Sequence, residues 1–316
     1  MMRFDWYQAT VMDSPSNGVR QISKLGHSLV PCDSLAKAYR YKQGWHVRHN
    51  DLGNVATILC GGNGSDDTFH AWASSDNTDN FVSLVRDTWG GCHRVTRADP
   101  AQDFIEAGAD KRILKVMLQI GKRNKLKCAR TSDPLDKEAG ITQYLGAPGS
   151  DYRVRGYQKG YEVAGKIDSS LGARIARADM LITNVHTGEL VKPSDWFRVE
   201  GQIRPRTDEG KFLLSRLTPE ESFGCTPWMR ELAKEVLSLD LEEQLMRTRK
   251  NTTLEESVFW LTRQYGCVLE QIVHDMGEAK AMAYLMEVRR QQKANSQAQA
   301  ALRPAAVTRS LVKAGQ

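Results

Sequence analysis

The sequence predicts an α+β fold: a mainly antiparallel sheet with packed helices, followed by a helical C-terminal region and a disordered basic tail. Three observations carry this. Short runs that alternate apolar and polar side chains recur as far as Pro205, separated by stretches of helical spacing and glycine-rich turns. After Thr218 the patterns become helical. From Gln291 onward the chain is rich in Gln, Ala and Ser, with no sustained apolar face. The expected organisation is an α+β domain over 1–216, a helical region over 217–290 and a tail over 291–316.

Phe4 to Val11 reads as a strand, and Asn54 to Cys60 as another that closes on the turn Gly61-Gly62-Asn63-Gly64. That turn lacks the Lys-Ser/Thr of a phosphate loop and is read as a hairpin connection. Phe81, Leu84, Val85 and Thr88 stand at helical spacing before Gly90-Gly91, and His93 to Asp99 then alternates as a strand does. Gln102 to Gln119 is predicted helical, with short strands at Lys125 to Ala129 and Gly140 to Tyr144. The turn Gly146 to Asp151 reverses the chain into a strand over Tyr152 to Gln158. A further strand, Trp196 to Arg204, stops at Pro205, and Thr218-Pro219-Glu220-Glu221 is a helix-start signal. Val258, Leu261, Tyr265, Leu269 and Ile272 mark a helical stripe beyond it.

Composition narrows the function classes. At 316 residues and 41% hydrophobic, the sequence describes an ordinary globular protein. It has neither a membrane-spanning apolar run nor a signal-like opening, so a cytoplasmic location is expected. The six cysteines are widely spaced without a Cys-x-x-Cys pair and are read as reduced thiols. The net charge of +6 is accounted for by the six cations between Arg289 and Gln316, so the remaining chain is formally neutral. A local feature says more. Lys111, Arg112, Lys115, Lys122, Arg123, Lys125, Lys127 and Arg130 fall in one stretch without an acid, a pattern that attracts a polyanion or forms a solvated face.

The candidate chemistry lies on three segments. On a strand from Tyr152 to Lys159, Arg153, Arg155, Tyr157 and Lys159 share one face, setting a phenol among cations that favour phenolate and bind phosphate. On Trp196 to Arg204, Arg198, Glu200, Gln202 and Arg204 share a polar face, while Phe197, Val199 and Ile203 point to a core. Glu200 is there a metal ligand or a salt-bridge partner. Asp99 and Asp103, four apart, share a face and are either oxygen ligands suited to Mg²⁺ or Mn²⁺ or capping and turn residues. The histidines form no His-x-His pair, so any metal would rest on carboxylates, and His70 and His93 are read as structural or surface residues.

In this order the segments resemble the replication-initiation-factor (Rep-trans) family of small rolling-circle plasmids and filamentous phages. The matching residues are Thr96-Arg97-Ala98-Asp99-Pro100-Ala101-Gln102-Asp103, then Tyr144-Leu145-Gly146 with Arg155-Gly156-Tyr157-Gln158-Lys159, then Arg198-Val199-Glu200; the opening Phe4-Asp5-Trp6 also looks like the family's first strand. Pro100, Pro148, Gly156 and Gln202 depart from the family pattern. Pro100 is expected to interrupt its strand, and Gly156 to permit close approach by DNA.

The resemblance implies a metal-dependent DNA nicking-closing endonuclease. Tyr157 would be the nucleophile, forming a 5′-phosphotyrosyl link and a free 3′ hydroxyl primer. Arg155 and Lys159 would stabilise the added charge, and Asp99, Asp103 and Glu200 would hold Mg²⁺ or Mn²⁺. Lys111, Arg112, Lys115, Lys122, Arg123, Lys125, Lys127 and Arg153 are the candidate DNA contacts. Origin DNA, single-stranded or in an extruded hairpin, is the implied partner, with a host helicase, a polymerase and a second copy of the chain as further candidates and no membrane. Tyr161 is a candidate second nucleophile but reads as structural. Two rivals stand beside this reading: a non-catalytic origin-binding regulator of the same fold, and a metal-dependent nuclease that activates water.

Overall fold

β1 (Arg3–Val11) lies inside the sheet because alternate residues, among them Tyr7, Ala9 and Val11, give it an apolar face that is fully enclosed. The computed structural model describes residues 2–62, 67–132, 140–167, 180–184, 187–244 and 254–292. After β1 come α1 (Pro15–Ile22), β2 (Ser28–Pro31), α2 (Asp33–Ala38), β3 (Gln43–His49), β4 (Gly53–Cys60), β5 (Phe69–Ser74), α3 (Thr78–Trp89) and β6 (His93–Ile105). There follow α4 (Ala109–Arg123), β7 (Cys128–Ser132), β8 (Ile141–Leu145), β9 (Tyr152–Tyr157) and α5 (Lys159–Ile167). The rest of this unit holds β10 (Ile182–Thr183), β11 (Leu190–Val191), β12 (Trp196–Ile203), α6 (Asp208–Leu214) and α7 (Pro227–Val236).

Among the described residues ten strands form one sheet in the order β2-β3-β4-β5-β1-β6-β12-β9-β8-β7, and β10 and β11 form a second, small one. Every described pairing is antiparallel. The fold is therefore the expected α+β class with a large antiparallel sheet. Its outer strands are short: β2 ends on Pro31, and all five residues of β7 are exposed.

One sheet face carries the main core. Tyr7, Val154, Phe197, Val199 and Ile203 meet Phe81 and Val85 of α3, Ile113 and Met117 of α4, and Met229 and Leu232 of α7 in a single cluster. Each such fully buried side chain stabilises the fold by about 1.5–3 kcal/mol. On the other face α2 covers one end, where Cys32 and Ala36 pack with Leu59 and Trp72, and α5 covers part of the other, where Ala164 packs with Ile182, Val191 and Trp196. Between these two patches the face carries the polar side chains of β6, β12 and β9.

The compact unit spans residues 1–249, so the segment after 217 shares its core: Leu217, Phe223, Met229 and Val236 all join the main cluster. Thr218 and Glu221 form the reciprocal cap that their spacing suggests. The Thr218 hydroxyl accepts from Glu221 N at 3.1 Å and the Glu221 carboxylate accepts from Thr218 N at 2.8 Å, opening a short 3₁₀ turn. The second unit, residues 250–316, contains α8 (Leu254–Met276), on which Val258, Leu261 and Tyr265 are exposed. The expected tail beyond residue 292 and the Asn63-Gly64 half of the β4–β5 turn lie outside the described residues.

Three expectations change. Gln102 to Ile105 continues β6 instead of starting a helix, because these residues pair with Val199 to Trp196 of β12; α4 begins only after Gly108, whose φ of 80° breaks the strand. Pro100 does not interrupt β6. It sits at a register shift in the β1 pairing, between Phe4 and Trp6, where the irregular ladder tolerates a residue without an N–H. Gly156 faces away from the polar face: a Cβ there would lie 2.6 Å from Met117 Sδ and 3.1 Å from the Phe197 ring. The glycine thus makes room for α4, not for DNA. Gly156→Val is expected to cost about 1–3 kcal/mol by overpacking, read as a lower urea midpoint.

Candidate active site

Antiparallel register brings the polar segments into rows across three strands. On β9, Tyr157, Arg155 and Arg153 stand opposite Arg198, Glu200 and Gln202 of β12. On β6, Asp103 stands opposite Arg198 and Ala101 opposite Glu200, and the same register puts Asp99 opposite Gln202. Directly opposed residues project to one face, so all of these side chains share the face opposite α3, α4 and α7.

Tyr157 is the last residue of β9, and only 6% of its surface is exposed. Its hydroxyl donates to Glu200 Oε2 at 3.1 Å, while Arg155 Nη2 donates to both oxygens of the same carboxylate at 2.8 Å. The Arg155 guanidinium lies 4.7 Å and Lys159 Nζ 5.8 Å from the Tyr157 ring centre. A pocket of about 230 Å³ opens beside the ring, lined also by Gly140, Ile141, Thr142, Gln158 and Glu162.

Lys159 reaches Tyr157 by a different route from the one expected. The strand ends at Tyr157 and Lys159 opens α5, because the Gln158 side chain accepts from Ile141 N at 3.0 Å and Gly160 packs closely on the backbone of Pro193. Lys159 also bonds Glu162 at 3.1 Å.

The electrostatics also differ from the expectation that the cations favour phenolate. Burial, and after it the Glu200 carboxylate, raise the Tyr157 hydroxyl above the ordinary tyrosine value; Arg198 and Arg155 oppose this without prevailing. Glu200, 1% exposed, is pushed up to about 7 by burial against the pull of Arg155, with Asp99 and Asp5 pushing in the same direction. The resting pair is a neutral phenol donating to a carboxyl group that changes charge near neutral pH.

Arg198 is 1% exposed and ties three strands together. Its Nε and Nη2 donate to Asp103 at 2.6 and 2.7 Å, and its Nη1 to Asp5 of β1 at 2.6 Å. Burial would raise Asp103, but Arg198 outweighs it and holds the carboxyl below its usual range.

Asp99 is likewise buried and is gripped by Arg97, whose Nε donates to it at 2.9 and 3.1 Å. Each of the three acids expected to hold Mg²⁺ or Mn²⁺ is thus engaged by its own arginine. Among the described residues no three acidic, histidine or cysteine side chains gather as a metal site. In this arrangement the donor set does not fit a divalent cation, which would have to displace Arg97 or Arg155.

The basic stretch from Lys111 divides. Arg112 pairs with Glu106, and Arg123 with Glu231 and Glu235, at 2.7 and 2.5 Å for the latter two. Lys111, Lys115, Lys122 and Arg130 line a groove of about 580 Å³ floored by Leu114, Leu118 and Ile141. Lys125 and Lys127 lie in the connection to β7. Because α4 packs behind Gly156, this groove opens on the face opposite Tyr157, whereas Arg153 shares the tyrosine's face.

The two histidines singled out, His93 and His70, are both buried and hydrogen-bonded to neighbouring strands and helices. His93 is buried between Tyr7 Oη at 3.0 Å and Trp89 O at 2.8 Å; His70 bonds Gln8 and Thr10, and its burial lowers it to about 4. The contribution of Asp5 was not singled out from sequence. Its partner Arg198 lies 193 residues away, and only the strand order brings them together.

A similar solved structure is the rolling circle replication initiator protein from Geobacillus stearothermophilus, with a TM-score of 0.45 and 19% identity, covering 83% of this chain and 95% of that one. No family model matches the chain, and no curated protein does. Among the described residues no helix is long and apolar enough to cross a membrane.

Removing one partner of a buried ion pair leaves the other uncompensated, so Asp103→Asn is expected to cost roughly 3 kcal/mol at pH 7. The ordinary carboxyl value is about 3.9 and the folded one lies lower, so the pair's contribution is complete above that value and is lost as the pH falls through the folded one. Urea unfolding of the parent and the variant should therefore converge in acid.

Proposed function

We propose that this chain initiates rolling-circle DNA replication by nicking one strand of origin DNA with Tyr157. The observation that carries the proposal is the Tyr157 hydroxyl donating to Glu200 while Arg155 holds the same carboxylate, at the edge of a pocket. The motif resemblance supports the same reading.

Glu200 takes the phenolic proton as the Tyr157 oxygen attacks phosphorus. The new O–P bond forms as the bond to O3′ breaks, and the departing oxygen takes a proton from solvent, leaving a 5′-phosphotyrosyl link and a free 3′ hydroxyl. Arg155 and Lys159 offset the charge that builds on the phosphoryl oxygens. Asp99, Asp103 and Glu200 are engaged by arginines, and the side chains of Tyr157, Glu200, Arg155 and Lys159 carry the transfer. Assays in EDTA and in Mg²⁺ or Mn²⁺ decide whether a cation is a further requirement.

The non-catalytic regulator keeps a place because Tyr157 is buried and holds its proton. Incubation with a single-stranded origin oligonucleotide separates the readings. The nickase predicts a covalent protein–DNA adduct that disappears in Tyr157→Phe. Binding without an adduct under every cation condition would establish the regulator, and cleavage that survives the substitution a water-activating nuclease.

Glu200 accepts a proton only when ionised, so the rate of adduct formation should rise with pH and level off above an apparent pKa near 7. Glu200→Gln should lower the plateau by about a hundredfold or more. A rate that is flat from pH 5.5 to about 8.5 would remove Glu200 from the proton transfer.

A further inference from the structure

The Tyr157 face carries a second cluster of charge that the reaction above does not use. Continuing the β12–β6 register one residue past the Ile203–Ala98 pair sets Arg204 opposite Arg97. Arg153, opposite Gln202, is their diagonal neighbour on β9. Like charges directly opposed on adjacent strands destabilise a sheet. Asp99 is committed to Arg97, and among the described residues no carboxylate lies within ion-pair distance of Arg153 or Arg204.

Two of the guanidiniums lie over aromatic rings: Arg97 is 4.7 Å from the Trp6 ring centre and Arg153 3.9 Å from that of Tyr144. Stacking fixes the plane of a guanidinium and leaves its N–H edge for an acceptor. The Nε of Arg153 is buried and has no hydrogen-bond partner among the described residues. Burial and Arg97 lower the Arg204 guanidinium from its ordinary value, Asp99 opposes this, and Arg153 adds to the lowering. The cluster is an arrangement of donors in surplus.

We propose that Arg97, Arg153 and Arg204 form a subsite for a backbone phosphate of the DNA strand whose scissile bond lies at Tyr157. An anion there bridges the opposed guanidiniums, satisfies the orphaned Arg153 N–H and relieves their repulsion. Arg153 stands four residues before Tyr157 on β9, about 13 Å at ~3.3 Å per residue, so the strand is held at a second point along the same face. Such a contact positions the strand without reading its sequence. The proposal rests on the nucleic-acid reading of the site.

The test uses full-length protein carrying Tyr157→Phe, which binds without covalent capture, and a labelled single-stranded oligonucleotide titrated at several NaCl concentrations. Arg204→Ala is expected to weaken binding about tenfold and to reduce the slope of log K against log salt by about 0.7, one phosphate contact on a single strand. Its thermal midpoint should stay level or rise, because a repulsion is removed; loss of a structural residue would lower it. Arg204→Gln repeats the measurement with most of the side-chain volume retained. Unchanged affinity and salt slope in both variants would overturn the subsite. So would inorganic pyrophosphate binding as tightly as the oligonucleotide, which would make this a small-anion site. Adduct formation by the parent chain is scored separately. Arg204-dependent binding without any adduct sinks tyrosine transfer and leaves the subsite standing; an adduct with Arg204-independent binding does the reverse.

Discussion

The polar face depends on one buried cation. Arg198 is enclosed at the centre of the sheet, and its guanidinium spends its donors on carboxylates from two other strands, Asp103 of β6 and Asp5 of β1. A lone buried arginine would cost several kcal/mol; two carboxylates at hydrogen-bond distance make its burial tolerable and fix three strands in a single register. Tyr157 is its cross-strand neighbour, so the position of the phenol follows from that register.

Around this centre the face alternates charge in a definite way. Asp103, still partly exposed, is held low by its arginine, whereas Glu200, almost fully enclosed, is pushed up to about 7 by that burial, with Asp99 and Asp5 adding to it. Two carboxylates on adjacent rows thus have opposite tendencies: one is a fixed structural anion, the other able to exchange a proton near neutrality. The difference arises from depth of burial and from neighbours on other strands, not from the residue type.

Much of this was legible in the sequence. The parity of Trp196 to Ile203 separated Phe197, Val199 and Ile203 from Arg198, Glu200 and Gln202, and the turn after Leu145 announced the β8–β9 hairpin, because both signals are local. The extent of β6 was not legible: Gln102 to Ile105 suits either a helix or a strand, and pairing with β12 decides it. Nor was Lys159, whose place above the tyrosine comes from a helix start instead of strand alternation. The basic stretch from Lys111 gave a charge count, but not which of its members acids on α7 and before α4 would neutralise, since those acids come from elsewhere in the chain. Alternation also cannot say that a polar face is dry. Arg198 and Glu200 were on the expected side, and tertiary packing encloses those two residues there.

The short outer strands bear on how copies of this chain can meet. A sheet this wide would offer two long unpaired backbones if its margins were regular, but β2 stops on a proline after four residues and β7 shows solvent a run of five exposed residues with Arg130 at its centre. Both features oppose strand-by-strand extension. Contacts between copies at these margins are therefore expected to be made by side chains instead of by strand pairing.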